Sequence, residues 1–142
     1  LDLMGRKVAM NKGENAMLFA KEIKQFVADN KQTFPDQMAD LDKAVDDLVE
    51  VTTGILSRAL SNPNEIGAAS VDYLHMFGYV MYGYMWAKMM VTAHESQDDA
   101  IKHAKLKTGR YYFKRILPKV TSLKTQIESG ADLLFDLALE EF

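Results

Sequence analysis

The chain has 142 residues, of which 48% are hydrophobic and 26% are charged, and it contains no cysteine. This length and composition are typical of one folded domain with a sizeable core, and they exclude a disordered chain. The formal net charge of −3 argues against non-specific binding to nucleic acid, which requires an excess of Lys and Arg. The absence of cysteine excludes disulfides and thiolate metal sites and suits a reducing compartment, so we expect a cytoplasmic protein.

Two amphipathic helices are expected in the first part of the chain. The inward face of the first helix is given by apolar residues at helical spacing, namely Ala16, Phe19, Ile23 and Phe26. A second, longer helix is predicted from a stripe at alternating spacings of three and four, which comprises Met38, Leu41, Val45, Leu48, Thr52, Ile55 and Ala59. Segments 33–36 and 61–64 each contain a proline and mark the ends of these helices.

The third predicted helix is the most apolar part of the chain. Residues 73–91 read YLHMFGYVMYGYMWAKMMV, and we expect only the side chains of His75 and Lys88 among them to carry a charge. Because a helix that is apolar on every side is typically buried on every side, we expect the central element of a helical bundle. A membrane span needs about 20 apolar residues, but Lys88 and the amphipathic neighbours argue against one. The nine methionines of the chain are interpreted as residues that fill gaps in the core.

A fourth helix is predicted after the polar connection 95–98. Its apolar stripe continues through Pro118 in register, so we expect a kinked but continuous helix; the stripe comprises Leu106, Gly109, Phe113, Ile116, Val120, Leu123 and Ile127. Gly130 is expected to end this helix, and residues 131–139 to form a short tail helix whose Leu134 and Leu137 pack on the bundle. Since short connections favour antiparallel neighbours, the sequence predicts an all-α, up-and-down four-helix bundle.

Charge is distributed unevenly between the second and fourth helices. Residues 36–50 carry six acids and one base, whereas residues 100–127 carry eight bases and no acid. One interpretation is two solvated faces, placed side by side so that opposite charges ease packing. The alternative is a basic strip that docks an anionic protein surface or a phosphate-bearing ligand. The candidate strip residues are Lys107, Arg110, Tyr111, Lys114 and Arg115.

The sequence offers no catalytic or metal-binding constellation. A ferritin-like di-metal site requires two acid–histidine pairs at spacing i, i+3 and two further glutamates, and the chain has one such pair, Asp72 and His75. His94 and His103 have no acid three residues earlier. The chain also has no G-x-S-x-G turn and no glycine-rich phosphate loop. We therefore assign no catalytic, cofactor-binding or metal-binding residue.

Four segments of the chain carry a family resemblance. The segments LDLMGRK, YLHMFGYVMYGYMWAKMM, KLKTGRYYFKRILP and IESGADLL together resemble the C-terminal extension of acyl-CoA dehydrogenases. Within that family the chain is similar to the larger bacterial subgroup that includes methylmercaptopropionyl-CoA dehydrogenase-like enzymes, and the similarity covers essentially the whole chain. The departures from the subgroup pattern are size-conserving or aromatic exchanges, and they fall at Tyr79, Ala104, Gly109, Tyr111 and Tyr112.

The resemblance implies a parent flavoprotein oxidoreductase of fatty acid metabolism. Such an enzyme oxidises an acyl-CoA to the 2,3-enoyl-CoA, with FAD as the hydride acceptor and a glutamate as the base. The glutamate motif of the family, Y-E-G-T-N-G-I-Q, would end before Leu1, and no position of this chain matches that base or the flavin-binding residues. Residues 1–12 would then be the tail of the preceding dehydrogenase domain, with a short helical lead-in, and residues 13–142 the C-terminal four-helix bundle. We expect this fragment alone to bind no FAD and to be inactive.

The resemblance leaves two roles open for such a domain. It packs against the rest of the dehydrogenase or a partner subunit of a homo-oligomer, or its basic strip docks an anionic partner such as the electron-transfer flavoprotein or the CoA phosphates. Docking through exposed charge weakens with ionic strength, whereas an apolar interface does not, so salt dependence separates the two roles. A third alternative is a free-standing helical interaction module without enzymatic activity.

Overall fold

The structure, a computed structural model, describes residues 13–141, and these residues form helices without any β-strand. The helices are α1 (Glu14–Asn30), α2 (Pro35–Ala59), α3 (Asn64–His94), α4 (Asp99–Tyr111), α5 (Lys119–Glu128) and α6 (Asp132–Phe135). A π-helical turn (Tyr112–Ile116) joins α4 to α5, and a 3₁₀ turn (Leu139–Glu141) ends the described chain. The predicted all-α bundle is therefore confirmed, whereas the predicted lead-in, residues 1–12, lies outside the described residues.

The helix ends follow from local sequence chemistry. Pro35 begins α2, where its missing N–H leaves no intrahelical bond unmade. The Asp98 carboxylate caps α4 by accepting the backbone N–H groups of Ala100 and Ile101 at 3.0 and 3.1 Å. Gly130 lies beyond the end of α5 with φ of 81°, a left-handed conformation that favours glycine, and it ends the fourth helix as the sequence predicts.

The fourth helix of the bundle consists of α4, the π-helical turn and α5 in direct succession. Pro118 has no N–H to donate, and its ring excludes a regular bond to the carbonyl four residues earlier. The chain accommodates it with one wider turn, in which the Leu117 N–H donates to the Tyr112 carbonyl five residues back, at 2.9 Å. Leu117 and Pro118 both keep helical backbone angles, so the helix continues through the proline as the sequence predicts.

Neighbouring helices run antiparallel. The first residue before α1, Gly13, lies beside Leu56 near the end of α2. Thr52, near the end of α2, shares a buried 2.7 Å hydrogen bond with Tyr73, which is near the start of α3. In the same way, Met90 near the end of α3 contacts Gly109, which lies in the first half of the fourth helix. This order of contacts gives the up-and-down topology that the short connections predict.

The core lies between α2, α3 and the fourth helix, with α1 packed against α2. The largest fully buried side chains are Ile23, Met38, Leu41, Val45, Leu48, Val51, Ile55, Tyr73, Met76, Met90 and Phe113. Rings from α1 reach α3 as well, because Phe19 stacks on Phe77 with centroids 5.3 Å apart. The residues that the sequence predicts to face inward in α1, α2 and the fourth helix are buried or half-buried.

A buried acid fixes one end of the bundle. Glu65, 6% exposed at the start of α3, accepts a hydrogen bond from Arg58 Nε at 3.1 Å and another from the Ala131 backbone N–H at 3.2 Å. Arg58 also donates to the Ile127 carbonyl at 3.4 Å. This network joins α2, α3 and α5, and it fixes the position from which the C-terminal residues leave the bundle.

Two predictions about buried surface are wrong. Helix α3 is not buried on every side, because one of its faces is open to solvent along most of its length. The tail does not pack on the bundle either, since Leu134 and Leu137 are 66% and 59% exposed. The physical reason is the same in both cases: the helices that surround α3 cover only part of its circumference, and α6 is a helix of four residues with no helix opposite to it.

Candidate functional site

The predicted basic strip lies on the outer side of the fourth helix. Lys107, Arg110 and Tyr111 belong to α4, Lys114 and Arg115 belong to the π-helical turn, and all five are exposed. Within residues 13–141, no carboxylate lies within 4 Å of the four cationic groups. The strip therefore forms no ion pair with the described acids, although Lys114 lines a groove together with Asp40 and Asp47 of α2, and its role in docking stays a prediction.

Within residues 13–141, the acidic residues of α2 form their ion pairs with lysines outside the basic strip. Lys24 of α1 binds both Asp42 and Asp46. Although partial burial lowers the pKa of Lys24, the hydrogen bonds that its ammonium donates to these two carboxylates outweigh this effect and raise the pKa above its ordinary value. Among the described residues, one fourth-helix cation pairs with an acid of α2, because Lys124 lies 3.1 Å from Glu50. Charge pairing between α2 and the fourth helix is thus confined to α5.

The exposed side of α3 forms an apolar face. Its residues follow one another at spacings of three and four, apart from the adjacent Met81 and Tyr82, which places them on one side of the helix. We call this set the α3 face, and it comprises Val71, Leu74, Gly78, Met81, Tyr82, Met85 and Met89. Five of these side chains are exposed, with Tyr82 at 58% and Met85 at 47%. From Val71 to Met89 the face is about 27 Å long, at roughly 1.5 Å per residue.

Gly78 gives the α3 face a shallow centre. A Cβ atom added at this position would meet no atom within 4 Å, so nothing inside the described chain requires a glycine here. Glycine in the middle of a helix destabilises it by roughly 0.5–1 kcal/mol relative to alanine. The position suits the close approach of another polypeptide segment from outside.

Three lysines border the α3 face. Each ammonium lies over an aromatic ring of α3: Lys88 over Tyr84 at 4.9 Å, Lys105 over Trp86 at 5.8 Å, and Lys119 over Tyr79 at 5.6 Å. Such cation–π contacts hold the lysine stems against apolar surface while the charges stay near its edge. None of the seven residues of the face carries a charge, so the surface is apolar in the middle, and three lysines lie along its border together with Glu22 of α1, which interacts with Tyr84.

Hydrophobic periodicity does not reveal the α3 face, because a helix without a polar side has no pattern that marks its solvent side. The interpretation of the methionines as core residues is correct for Met38, Met76 and Met90 but wrong for Met81 and Met85. The available signal was a glycine in the middle of an apolar helix without a turn to form.

No arrangement of the described residues suggests catalysis or metal binding. Within residues 13–141, no group of three or more His, Asp or Glu side chains is placed to hold a metal ion. His75 is exposed and Asp72 is half-buried on α3. The buried hydroxyls make internal bonds, since Tyr112 donates to the Tyr79 carbonyl at 2.6 Å. Burial raises the pKa of Tyr112 well above its ordinary value, so this hydroxyl stays protonated at neutral pH.

No described helix is both long enough and apolar enough to cross a membrane.

Comparison with known proteins identifies the family of the chain. A search of curated proteins found no significant match. The family model described as "Acetyl-CoA dehydrogenase C-terminal like" matches residues 19–138, which include α1 to α6 apart from the first five residues of α1. The matched region is the larger part of the chain and contains both the basic strip and the α3 face. The chain therefore belongs to the family of acetyl-CoA dehydrogenase C-terminal-like domains, which are C-terminal domains of acyl-CoA dehydrogenase-like proteins.

Proposed function

We propose that this chain is a non-catalytic C-terminal domain of a cytoplasmic, FAD-dependent acyl-CoA dehydrogenase of the methylmercaptopropionyl-CoA dehydrogenase-like subgroup. Its role is to pack against another part of the assembled enzyme, either the dehydrogenase body or a partner subunit. The observation that carries the proposal is the α3 face, an apolar surface about 27 Å long that the described residues leave uncovered.

Elementary energetics support a docking role for this face. Burial of apolar surface stabilises by about 25 cal/mol per Å², so covering the face removes a substantial cost of exposure to water. On a typical soluble monomer the largest continuous apolar patch covers a few hundred Å² and often serves an interaction, and the α3 face, roughly 27 Å by 10 Å, is of that order. Leu74, Met81 and Met85 are adjacent on one helix side and are bordered by lysines, which matches this description.

The described residues do not fit a flavin site of their own. Every buried side-chain N or O atom within residues 13–141 already has a hydrogen-bond partner, so no polar group is directed into a cavity to receive a flavin ring or a pyrophosphate. The sequence also lacks a glycine-rich phosphate loop. We therefore place FAD, the catalytic base and the acyl-CoA pocket on the rest of the parent enzyme, and we expect the 142-residue chain alone to show no acyl-CoA-dependent reduction of an electron acceptor.

A second candidate function uses the basic strip. The exposed Lys107, Arg110 and Lys114, with no carboxylate within 4 Å among the described residues, suit an anionic partner such as the electron-transfer flavoprotein. Exposed charge pairs are screened by salt, with a Debye length near 8 Å at physiological ionic strength. Association through the strip would therefore weaken strongly between low and high salt, whereas association through the α3 face would not.

The test uses the complete product of the gene that encodes this chain. First, the coding sequence upstream of Leu1 is expected to specify a dehydrogenase-like region that ends in Y-E-G-T-N-G-I-Q. Second, Met81→Glu with Met85→Glu is expected to reduce oligomer size or thermal stability of the complete protein in a salt-independent way. The matched control, Lys107→Glu with Arg110→Glu, places the same number of acids on another exposed helix side.

The outcomes separate the candidate functions. Loss of assembly in the Met81/Met85 variant alone supports the packing role of the α3 face. Loss of acyl-CoA turnover with an external flavoprotein acceptor in the Lys107/Arg110 variant alone, at low salt, would instead favour docking through the strip. A start codon immediately before Leu1 would contradict the parent-enzyme proposal and leave a free-standing helical interaction module.

A further inference from the structure

The C-terminal segment presents a second uncovered apolar surface. Residues 131–141, here called the tail, contain five exposed large apolar side chains, which are Leu133, Leu134, Phe135, Leu137 and Leu139. The same segment carries four acids and no base; the acids are Asp132, Asp136, Glu140 and Glu141. The tail is thus apolar and negatively charged, whereas the α3 face is apolar and has Lys88, Lys105 and Lys119 along its border.

We propose that the tail of one copy of this chain docks on the α3 face of a second copy, and that the second copy returns the same contact. The inference rests on the proposed role of the α3 face as a docking surface, and it names the occupant. Apolar side chains of the tail would cover Leu74, Met81 and Met85, and its carboxylates would lie near Lys88, Lys105 and Lys119 at the border.

Charge complementarity favours this occupant over direct pairing of two α3 faces. If two α3 faces met, the lysines at their borders would be brought together, and like charges in contact disfavour association. The tail brings carboxylates instead. Because the tail carries carboxylates and the border of the α3 face carries lysines, opposite charges meet at each contact. This pairing favours one relative placement of the two copies over others.

The position of the tail favours a contact between copies over one within a copy. The first residue of the tail is held at the end of the bundle, where the Ala131 backbone N–H donates a hydrogen bond to the buried Glu65 carboxylate. From there Leu133 and Leu134 line a groove with Ala68 and Asp72, beside the first turns of α3. The apolar side chains of the tail and those of Leu74, Met81 and Met85 are all exposed, so the tail does not cover the α3 face of its own copy. Its apolar side chains therefore remain available to a neighbour.

The size of the contact also favours reciprocal exchange. A footprint about 27 Å long and roughly 10 Å wide is near 270 Å², well below the roughly 800 Å² that each partner buries in a stable complex. In a two-fold dimer each copy contributes both its face and its tail, which doubles the area to roughly 540 Å² per copy, or about 1,080 Å² in total, just above the lower limit of about 1,000 Å² for a specific interface. Reciprocal contacts of this kind close on themselves and do not propagate into filaments.

The absence of cysteine from the chain allows a direct test by disulfide formation. Met85→Cys is placed in one preparation of the 142-residue chain and Leu137→Cys in a second preparation that carries a size tag. Both positions are exposed, so neither substitution disturbs the core. Mixing the two preparations under mild oxidation is expected to give a disulfide-linked heterodimer at least tenfold faster than the matched control pair, Lys107→Cys with Leu137→Cys.

Two further arms check the chemistry of the contact. A synthetic peptide of residues 131–142 is expected to suppress cross-linking, and Lys88→Glu is expected to slow it several-fold, with recovery when the tail carries Asp136→Lys. A rate equal to that of the control pair would overturn the proposal. In the double variant Met85→Cys/Leu137→Cys, an intrachain disulfide without any intermolecular product would overturn it in favour of a contact within one copy.

The failure of this inference is distinguishable from the failure of the proposed function. If the Met85→Cys thiol is protected from maleimide in the complete gene product but forms no disulfide with Leu137→Cys, the α3 face is covered by another part of the enzyme. The proposed packing role would then stand, and the tail assignment would be wrong. A thiol that is fully reactive in the complete protein would contradict both.

Discussion

Two glycines in the middle of helices give a matched pair for testing the packing of the bundle. Gly78 of α3 and Gly109 of α4 both have ordinary helical backbone angles, and each can be changed to alanine. In an unobstructed helix this change stabilises by about 1 kcal/mol, because alanine has the better helix propensity. The surroundings of the two glycines differ, so the structure predicts effects of opposite sign.

At Gly78 an added Cβ meets nothing within 4 Å, so the propensity gain is unopposed. We expect Gly78→Ala to raise the free energy of unfolding by about 0.5–1 kcal/mol. At Gly109 an added Cβ would overlap the Met90 sulfur and would lie 2.5 Å from the Met90 Cγ. Met90 is fully buried and cannot move aside easily, and overpacking of this kind costs about 1–3 kcal/mol. The net effect expected for Gly109→Ala is a loss of about 1–2 kcal/mol.

The measurement is urea unfolding of both variants, followed by circular dichroism at equal chain concentration. In the Met90→Ala background the obstacle is absent, so Gly109→Ala should become stabilising there, and this reversal isolates the contact. If Gly109→Ala stabilised the otherwise unchanged chain as much as Gly78→Ala does, the close packing of α4 on α3 would be refuted.

Two further predictions concern buried polar groups. Burial raises the pKa of Tyr112, whereas a tyrosine in the unfolded chain ionises near pH 10, so the unfolded state binds fewer protons above that pH and stability falls as pH rises. Tyr112→Phe should therefore show a shallower loss of stability between pH 9 and pH 11 than the unchanged chain, in urea titrations with the exposed Tyr82→Phe as control. Glu65→Ala leaves both Arg58 and the Ala131 N–H without their buried acceptor and should cost about 2–3 kcal/mol, whereas Glu50→Ala on the surface should cost much less. Equal thermal shifts for the two alanine variants would contradict the assigned role of Glu65.

Much of the fold follows from hydrophobic periodicity. The stripe from Met38 to Ile55 predicts the inward face of α2, because the opposite side of that helix is strongly polar and the pattern has high contrast. The stripe of the fourth helix continues across Pro118 in the same way. A π-helical turn preserves its register by widening one turn of the helix, a detail that side-chain spacing does not reveal.

The candidate site could be predicted only in part, for a physical reason. Helix α3 is apolar on all sides, so its sequence cannot distinguish the side that faces α2 from the side that faces solvent. The exposed Met85 and the buried Met90 therefore have no sequence feature that tells them apart. Which side is covered depends on where α1 and the fourth helix pack, and this is a tertiary property. The prediction that the tail packs on the bundle was wrong for a related reason. The apolar Leu134 and Leu137 indicate burial against another surface, but they do not indicate which surface.

The central claim is that the α3 face is covered when the complete enzyme assembles. The most direct measurement is the rate at which maleimide labels Met85→Cys in the complete gene product, compared with Gln25→Cys, an exposed control on α1. The account predicts that Met85→Cys reacts at least tenfold more slowly than the control in the assembled protein, and at a similar rate once the protein is unfolded in urea. Equal rates in the assembled protein would show that the face stays open to solvent, and they would contradict the claim.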